Sequence, residues 1–327
     1  MSQPNDKSEK KSPFWSVAKW SICVAVLFFV GWRAYALWTK DEFEAVDLQY
    51  RWLLPAMTVY LAAWIPSVWF WKQLLNNTGH APSTKNLIRS YYCGHMGKYI
   101  PGKAMVLVIR SALLKSENVD YRSSALTATY ETLWMMGTGS LIAVCSFPSL
   151  FLPALIEEAP WLNWSIPLIA IGITLCLLPI LSRLLSKVTR WMLAKNAHLE
   201  GDSRMVNTQL LFQGLLIYLV TWSMLGLSLG LILRSVSASV SFADGFFLVG
   251  AVAAANVLGF AALFAPGGIG IREGILMEIL QTHSQIGQRQ AVLVAVLLRL
   301  VWLTAEILAT VLLYYGFPSS PKNEQHE

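Results

Sequence analysis

Long apolar runs separated by short polar stretches dominate the hydrophobic pattern along this 327-residue chain. A bilayer core about 30 Å thick needs about 20 apolar residues of helix. Runs of that length predict seven spanning helices and therefore an all-α membrane protein, a helical bundle with short connections. The predicted spans are 17–38, 52–71, 123–147, 164–182, 207–233, 245–264 and 290–315.

Composition excludes a soluble protein. Hydrophobic residues make up 55% of the chain and charged residues only 13%, whereas a soluble domain carries about 25% charged residues. Stretch 72–122 has eight basic residues against Glu117 and Asp120. Because Lys and Arg favour cytoplasmic loops, this stretch and the N-terminus are predicted to be cytoplasmic, in a protein of the bacterial inner-membrane type.

The chain is predicted to form one transmembrane domain, residues 15–317, between disordered polar tails at 1–14 and 318–327. We expect no metal or cofactor, since the four cysteines show no zinc-binding spacing and no phosphate-binding loop is present. The net charge of +6 is explained by cytoplasmic loops and favours contact with anionic lipid over nucleic acid.

Two segments are apolar enough to enter the membrane but contain glycine and proline. They are 91–115 and 264–282. Proline removes a backbone donor and glycine destabilises a helix, so both segments should be broken and re-entrant. Broken backbone at membrane depth is tolerated where protein buries it or where it lines a cavity. We therefore expect the two segments to line a shared cavity. The predicted number of spans is seven or eight, depending on whether the second segment re-enters the membrane or crosses it.

The broken segments also form a weak internal repeat. Residues 99–102 and 264–267 both read aromatic, aliphatic, Pro, Gly, and each precedes a short helix and then a span with a buried charge. Each break creates a helix N-terminus, which favours an anion. Lys98, Lys103 and Arg272 lie in these breaks, so a phosphate group fits both. Alternatively, these bases only contact anionic headgroups at the membrane surface.

Charged residues inside predicted spans are costly and face the protein interior or a cavity. Glu131, Arg299 and Glu306 are such residues and form the predicted intramembrane charge network. Arg299 and Glu306 share a helix face but are about 10 Å apart by rise, so Arg299 is expected to pair with Glu131 or Glu273. A purely structural salt bridge is the alternative. Glu273 could also act only as a first-turn acid that balances the helix dipole.

The motifs GKYIPGK, residues 97–103, and APGGIGIREG, residues 265–274, resemble the signature segments of the lysylphosphatidylglycerol synthase transmembrane family. This family includes the flippase domain of the multiple peptide resistance factor. The resemblance implies a polytopic bundle of about seven or eight transmembrane helices with two re-entrant elements that moves polar lipids between leaflets. Besides Gly97 and Pro266, it assigns these substrate-binding positions: Lys98, Pro101, Gly102, Lys103, Gly267, Gly268, Gly270, Arg272 and Glu273.

The sequence thus predicts a lipid flippase whose partners are an anionic phospholipid or lipid-linked substrate, the surrounding membrane lipids and, in addition, a separate lipid-modifying enzyme. Because the chain ends at Glu327, shortly after the last predicted span, synthase activity is not expected. The main alternative is a membrane-embedded transferase with Glu131, Glu273 or His95 as its general base. A scaffold for lipid enzymes is the third hypothesis.

Overall fold

The computed structural model describes residues 48–100, 104–193, 206–238, 240–262 and 268–316. The predicted span 17–38 and the predicted tails lie outside these ranges. Within them the chain is helical and forms no strand, which confirms the all-α prediction. The α-helices are α1 (Leu53–Ala63), α2 (Ile65–Asn76), α3 (Thr84–His95), α4 (Met105–Leu114), α5 (Tyr121–Ser146), α6 (Pro148–Phe151), α7 (Pro153–Glu158), α8 (Leu162–Leu193), α9 (Thr208–Ser235), α10 (Gly245–Ala261), α11 (Ile271–Gln281) and α12 (Gln288–Gly316).

Each predicted span in the described ranges coincides with helix. Four helical stretches there are long and apolar enough to cross a membrane: Tyr50–Asn76, which joins α1 and α2, and helices α8, α9 and α12. Helix α10 is apolar but shorter, and α5 is 26 residues long. The exact number of crossings stays a prediction.

Short polar residues fix where several helices begin. Ser83, Asp120 and Asn207 each precede a helix in extended backbone and accept a hydrogen bond from the amide three residues later. Such caps satisfy one of the free amides in the first helical turn. Before α5, Asn118 adopts a left-handed conformation, with φ 56°, and ends the preceding 3-10 turn.

Helix α9 lies in the middle of the bundle, against α1, α5, α10 and α12. Its Tyr218 and Trp222 side chains are fully buried. At Gly226 the neighbouring helix comes so close that an added Cβ would lie 2.5 Å from the Val249 side chain. The small-residue run at 226–230 therefore serves close helix packing.

Helix α8 lies at the edge of the bundle and exposes large apolar side chains. Trp164 is 79% exposed and Leu168 is 70% exposed. Only 11% of the most apolar 18-residue stretch of the helix is buried inside the bundle. Water would not tolerate such a continuous apolar surface without association, whereas lipid chains solvate it. The exposed face and the long apolar helices identify a multi-pass membrane protein.

Each interrupted segment contributes to a pair of packed helices, here called a hairpin. The first hairpin consists of α3 packed against α4, and the second hairpin consists of α10 packed against α11. With 12 and 10 residues, α3 and α4 extend only about 18 and 15 Å at 1.5 Å per residue. Neither arm of the first hairpin can cross a 30 Å bilayer core alone.

Glycines let the arms of each hairpin approach closely. A Cβ on Gly97 would lie 2.5 Å from the Val106 backbone nitrogen, so only glycine fits between the arms of the first hairpin. In the second hairpin, Gly259 lies against Arg272, and Gly268 has φ +67° beside the Gly259 carbonyl. A positive φ and a close backbone contact at one residue explain why glycine occupies position 268.

Candidate functional site

The two hairpins meet at a cavity of about 280 Å³, which confirms that the interrupted segments share one cavity. The first hairpin contributes Lys98 and the second contributes Arg272. Most of the remaining wall is apolar or aromatic. The cavity is lined by Tyr60, Trp64, Lys98, Val106, Leu107, Thr129, Thr132, Leu133, Met135, Met136, Asn256, Gly259, Phe260, Gly268, Arg272 and Trp302.

The Glu306 carboxylate on α12 collects hydrogen-bond donors from two separate parts of the chain. It accepts hydrogen bonds from the Tyr60 hydroxyl and the Lys98 ammonium, and from the Tyr99 hydroxyl at 2.8 Å. The His95 Nδ1 atom lies 4.0 Å away. Because Glu306 is only 2% exposed, the ion pair with Lys98 is what makes its burial tolerable. This carboxylate ties the first hairpin to α1 and α12.

Arg272 extends from the first turn of α11 into the cavity. Its guanidinium lies over the Trp302 ring, 4.6 Å from the ring centroid. The Trp302 ring in turn stacks on the Tyr60 ring, with their centroids 4.4 Å apart. No carboxylate in the described ranges forms an ion pair with Arg272. A cation held over an aromatic face keeps most of its charge available for an anion.

Arg299 forms an ion pair with Glu273, Nε to Oε1, at 3.5 Å. Glu273 was one of the two partners expected for it. The Arg299 guanidinium also lies 5.0 Å from the centroid of the Tyr99 ring, so it connects both hairpins to α12. The other Glu273 oxygen, Oε2, accepts the Gly270 amide at 2.6 Å and caps α11. Glu273 is thus the partner of Arg299 and also the acid in the first turn of α11, where it caps the helix as well.

Around the cavity, three cations, Lys98, Arg272 and Arg299, accompany two carboxylates, Glu273 and Glu306. The described residues therefore give this region one surplus positive charge. Two cations are neutralised in ion pairs, and Arg272 supplies the surplus. In a low-dielectric membrane interior an uncompensated cation strongly favours an anionic ligand.

Glu131 lies in a separate cluster and forms an ion pair with Arg110 at 2.7 Å. It also accepts the hydroxyls of Tyr91 at 2.8 Å and Tyr218 at 2.9 Å. Arg110 is only 2% exposed, which corrects the interpretation of stretch 72–122 as loop charge throughout. Since Glu131 pairs with Arg110, the pairing of Arg299 with Glu131 is wrong.

Helix α3 connects the two clusters. Tyr91 binds Glu131, and His95 lies beside Glu306. These two residues are one helical turn apart, and their ring centroids are separated by 5.0 Å. The predicted network of Glu131, Arg299 and Glu306 is thus two adjoining carboxylate clusters. They lie against adjacent turns at the C-terminal end of α3.

The remaining predicted site residues divide between the cavity and the undescribed stretches. Gly268 lines the cavity, and Gly270, with φ +83°, begins α11. A left-handed backbone at the start of this helix explains the glycine at 270. The other positions, Pro101, Gly102, Lys103 and Gly267, lie outside the described residues.

Sequence reasoning missed the aromatic residues of the site. Trp302 lies on the same face of α12 as Arg299 and Glu306, three residues after the first and four before the second. That spacing was a usable signal, because residues three, four and seven apart share a helix face. Tyr60 had no such signal, since only the fold brings it to Glu306.

Comparison with known families gives a match over most of the chain. A family model described as the lysylphosphatidylglycerol synthase TM region matches residues 16–310. No curated protein matches the chain significantly. The matched range includes both hairpins and every charged residue of the two clusters. Within the described ranges, no group of three or more His, Cys, Asp or Glu residues could hold a metal ion.

Proposed function

Because the chain belongs to the lysylphosphatidylglycerol synthase transmembrane family, we propose that it moves a polar, phosphate-containing lipid between the leaflets of the bacterial inner membrane. The substrate is a phospholipid, an aminoacylated phospholipid or a lipid-linked intermediate. The observation that carries the proposal is the cationic cavity between the hairpins. Arg272 lines it without a carboxylate partner in the described ranges.

A phosphate headgroup suits the charges of this cavity. Arg272 offers a planar guanidinium, which matches phosphate oxygens with two parallel hydrogen bonds. Lys98 lines the same cavity with a side chain 28% exposed, although it also pairs with Glu306. The Trp64 indole nitrogen is a further buried donor in the lining and has no acceptor among the described residues. Pro101, Gly102, Lys103 and Gly267 stay in the proposed site through the family motifs.

The size and position of the cavity suit a headgroup whose acyl chains remain outside. A volume of about 280 Å³ is near the lower end for ligand pockets, about 300 to 1,000 Å³, and is too small for a whole phospholipid. Leu133 lines the cavity and is 56% exposed. The cavity therefore opens on the lipid-facing side of α5, and the acyl chains stay in the bilayer.

Glu306 acts as an internal counter-ion in this proposal. It neutralises Lys98, so this lysine is not left as an isolated charge in the membrane. An arriving phosphate competes with Glu306 for Lys98 and contacts Arg272 directly. Arg299 and Glu131 hold the two hairpins against α12 and α5, so that the groove between them can gate the passage of the headgroup.

The cavity lining disfavours the transferase. Its candidate bases, Glu131, Glu273 and His95, are not among the residues that line the cavity in the described structure. A general base must reach the proton that it abstracts, and here the carboxylates are engaged with Arg110 and Arg299 behind the wall. We therefore favour transport over group transfer.

The test is leaflet exchange of fluorescent phospholipids and polyprenyl-phosphate lipids in vesicles that contain the purified protein. Arg272→Gln should slow exchange by about tenfold or more, because a hydrogen bond to a charged group contributes about 1.5–3 kcal/mol. The matched control is Arg183→Gln, which removes an exposed arginine of α8 and should leave the rate unchanged. Size-exclusion profiles establish that both variants fold.

Two results would contradict the proposal at different levels. If wild-type protein exchanges none of these lipids, lipid transport is wrong. If exchange occurs and Arg272→Gln proceeds at the wild-type rate, transport stands but the assignment of the phosphate site is wrong.

A further inference from the structure

The lipid-facing part of the cavity contains three polar side chains that the charge clusters do not use. Thr129 and Thr132 lie on α5 and Asn256 lies on α10. The two threonines share one face of α5 with Leu133 and Met136, which also line the cavity, because these positions are three, four and seven residues apart. The three polar groups therefore interrupt an otherwise apolar wall.

Each of these side chains already donates a hydrogen bond within its own helix. Thr129 Oγ1 donates to the Ala125 carbonyl at 2.8 Å, and Thr132 Oγ1 donates to the Ala128 carbonyl at 2.9 Å. Asn256 Nδ2 donates to the Val252 carbonyl at 2.7 Å. Membrane depth favours keeping these bonds, because no water is present to replace them.

What these side chains offer the cavity is mainly acceptor oxygens. Each threonine hydroxyl has one hydrogen, which is engaged, and two lone pairs. The Asn256 Oδ1 atom receives no hydrogen bond from any described residue, and one amide N–H also remains. A bare phosphate consists of acceptors and gains little from such a wall, whereas a headgroup with hydroxyl or ammonium hydrogens can bond to it.

The acceptors also lie close to the surplus cation. Asn256 is three residues before Gly259 on α10, which is about 4.5 Å of rise. A Cβ on Gly259 would lie 3.0 Å from the Arg272 Cβ atom. Asn256 is thus about one helical turn from the point where Arg272 passes α10. A headgroup whose donor is a few bonds from its phosphate spans that separation.

We propose that Thr129, Thr132 and Asn256 select, among phosphate-bearing lipids, those whose headgroup carries hydrogen-bond donors beside the phosphate. The inference rests on the proposed lipid transport and names the headgroup chemistry that the site takes. Hydroxyl and ammonium donors share this chemistry. The cations hold the phosphate, and the acceptor wall on α5 and α10 discriminates between headgroups.

The test compares two pairs of lipids that differ in donors but not in net charge. Phosphatidylglycerol has hydroxyls that phosphatidylmethanol lacks, and phosphatidylethanolamine has N–H donors that phosphatidylcholine lacks. The protein should exchange the donor-bearing member of at least one pair about threefold to tenfold faster, as expected for one net hydrogen bond. The pair that responds identifies the donor as hydroxyl or ammonium.

The variants use isosteric substitutions. Thr129→Val/Thr132→Val removes both hydroxyls at nearly constant volume and should move the rate ratio clearly towards one, because only the Asn256 acceptor then remains. The matched control is Thr138→Val on the same helix. Thr138 makes the same type of bond, to the Trp134 carbonyl at 2.9 Å, but does not line the cavity. It should keep the wild-type ratio.

Failure of the inference is distinguishable from failure of transport. Equal wild-type rates within both lipid pairs, or a ratio that survives Thr129→Val/Thr132→Val, overturn the acceptor wall while lipid exchange itself continues. If no lipid is exchanged, transport fails, and the inference is tested by binding of short-chain versions of the four lipids to the purified protein in detergent. Equal affinities within both pairs would then overturn it.

Discussion

The buried pair of Arg110 and Glu131 should contribute strongly to stability, and its two members should be strongly coupled. Both side chains are nearly inaccessible, at 3% and 2% exposure, so removal of one leaves an uncompensated charge. That typically costs about 3–5 kcal/mol. Arg110→Met should lie at the upper end, because it leaves the buried Glu131 carboxylate without its counter-ion.

Glu131→Gln should cost less. The Gln oxygen can still accept hydrogen bonds from the Tyr91 and Tyr218 hydroxyls. The Arg110 guanidinium also keeps its cation–π contacts, 4.0 Å from the Tyr91 ring centroid and 5.0 Å from the Trp71 ring centroid. A desolvated cation–π contact contributes about 2 kcal/mol. We therefore expect about 3 kcal/mol for Glu131→Gln.

The double variant Arg110→Met/Glu131→Gln contains no unpaired charge and should recover much of the loss. The assay is the thermal midpoint of the purified protein in detergent, followed by size exclusion after heating. Each single variant should lower the midpoint by roughly 5 to 15 °C. Arg122→Gln, at an exposed position of α5, the helix that carries Glu131, serves as the control. Additive losses in the double variant would refute the reasoning, because coupled residues cannot behave additively.

Two further predictions concern the first hairpin. Gly97→Ala should abolish correct packing of the first hairpin, because the new Cβ would lie 2.5 Å from the Val106 backbone nitrogen and the backbone cannot move away as a flexible side chain could. The monodisperse peak in size-exclusion chromatography should be lost. Hydrogen bonds from the Asn86 side chain and the Ser83 amide hold the pKa of Glu117 below its ordinary value of 4.5. The stabilising effect of the ionised Glu117 carboxylate is complete above pH 4.5 and is lost as the pH falls through its lower folded-state pKa. The thermal midpoints of the wild type and of Glu117→Gln should therefore converge in acid. A difference in midpoint that stays constant with pH would contradict this.

The sequence was informative where local chemistry decides the structure. Glycine and proline predicted the interruptions between α3 and α4 and between α10 and α11, and the apolar run lengths predicted the long helices that the structure describes. The cost of a charge in lipid marked Glu131, Arg299 and Glu306 as interior residues. Each of these signals depends on a residue and its immediate neighbours.

The partners of the buried charges could not be predicted in the same way. Lys98 and Glu306 are 208 residues apart and Tyr60 and Glu306 are 246 apart, so only the packed bundle brings them together. Arg110 was counted as a loop base because charge counting ignores helix faces. It lies on α4 with its side chain turned towards α5, and the sequence gives no sign of that orientation.

The two hairpins follow one plan with opposite charges, and the difference predicts which of them moves. In the first, Arg110 on α4 pairs with Glu131 on the next helix; in the second, Glu273 on α11 pairs with Arg299 on the next helix. The first pair is closer, 2.7 Å against 3.5 Å, and the second is more exposed, 16% and 10%.

The second pair is also less completely bonded. Arg299 Nη2 and Glu273 Oε1 have no hydrogen-bond partner among the described residues, whereas in the first pair only Arg110 Nε lacks one and the Glu131 carboxylate is fully engaged. Partly satisfied buried groups hold an element less firmly than a complete network. We therefore expect the second hairpin to open first, with faster hydrogen exchange in α11 than in α4, and a bound phospholipid headgroup should slow exchange in α11 through Arg272. Faster exchange in α4, or no response of α11 to lipid, would contradict a moving second hairpin.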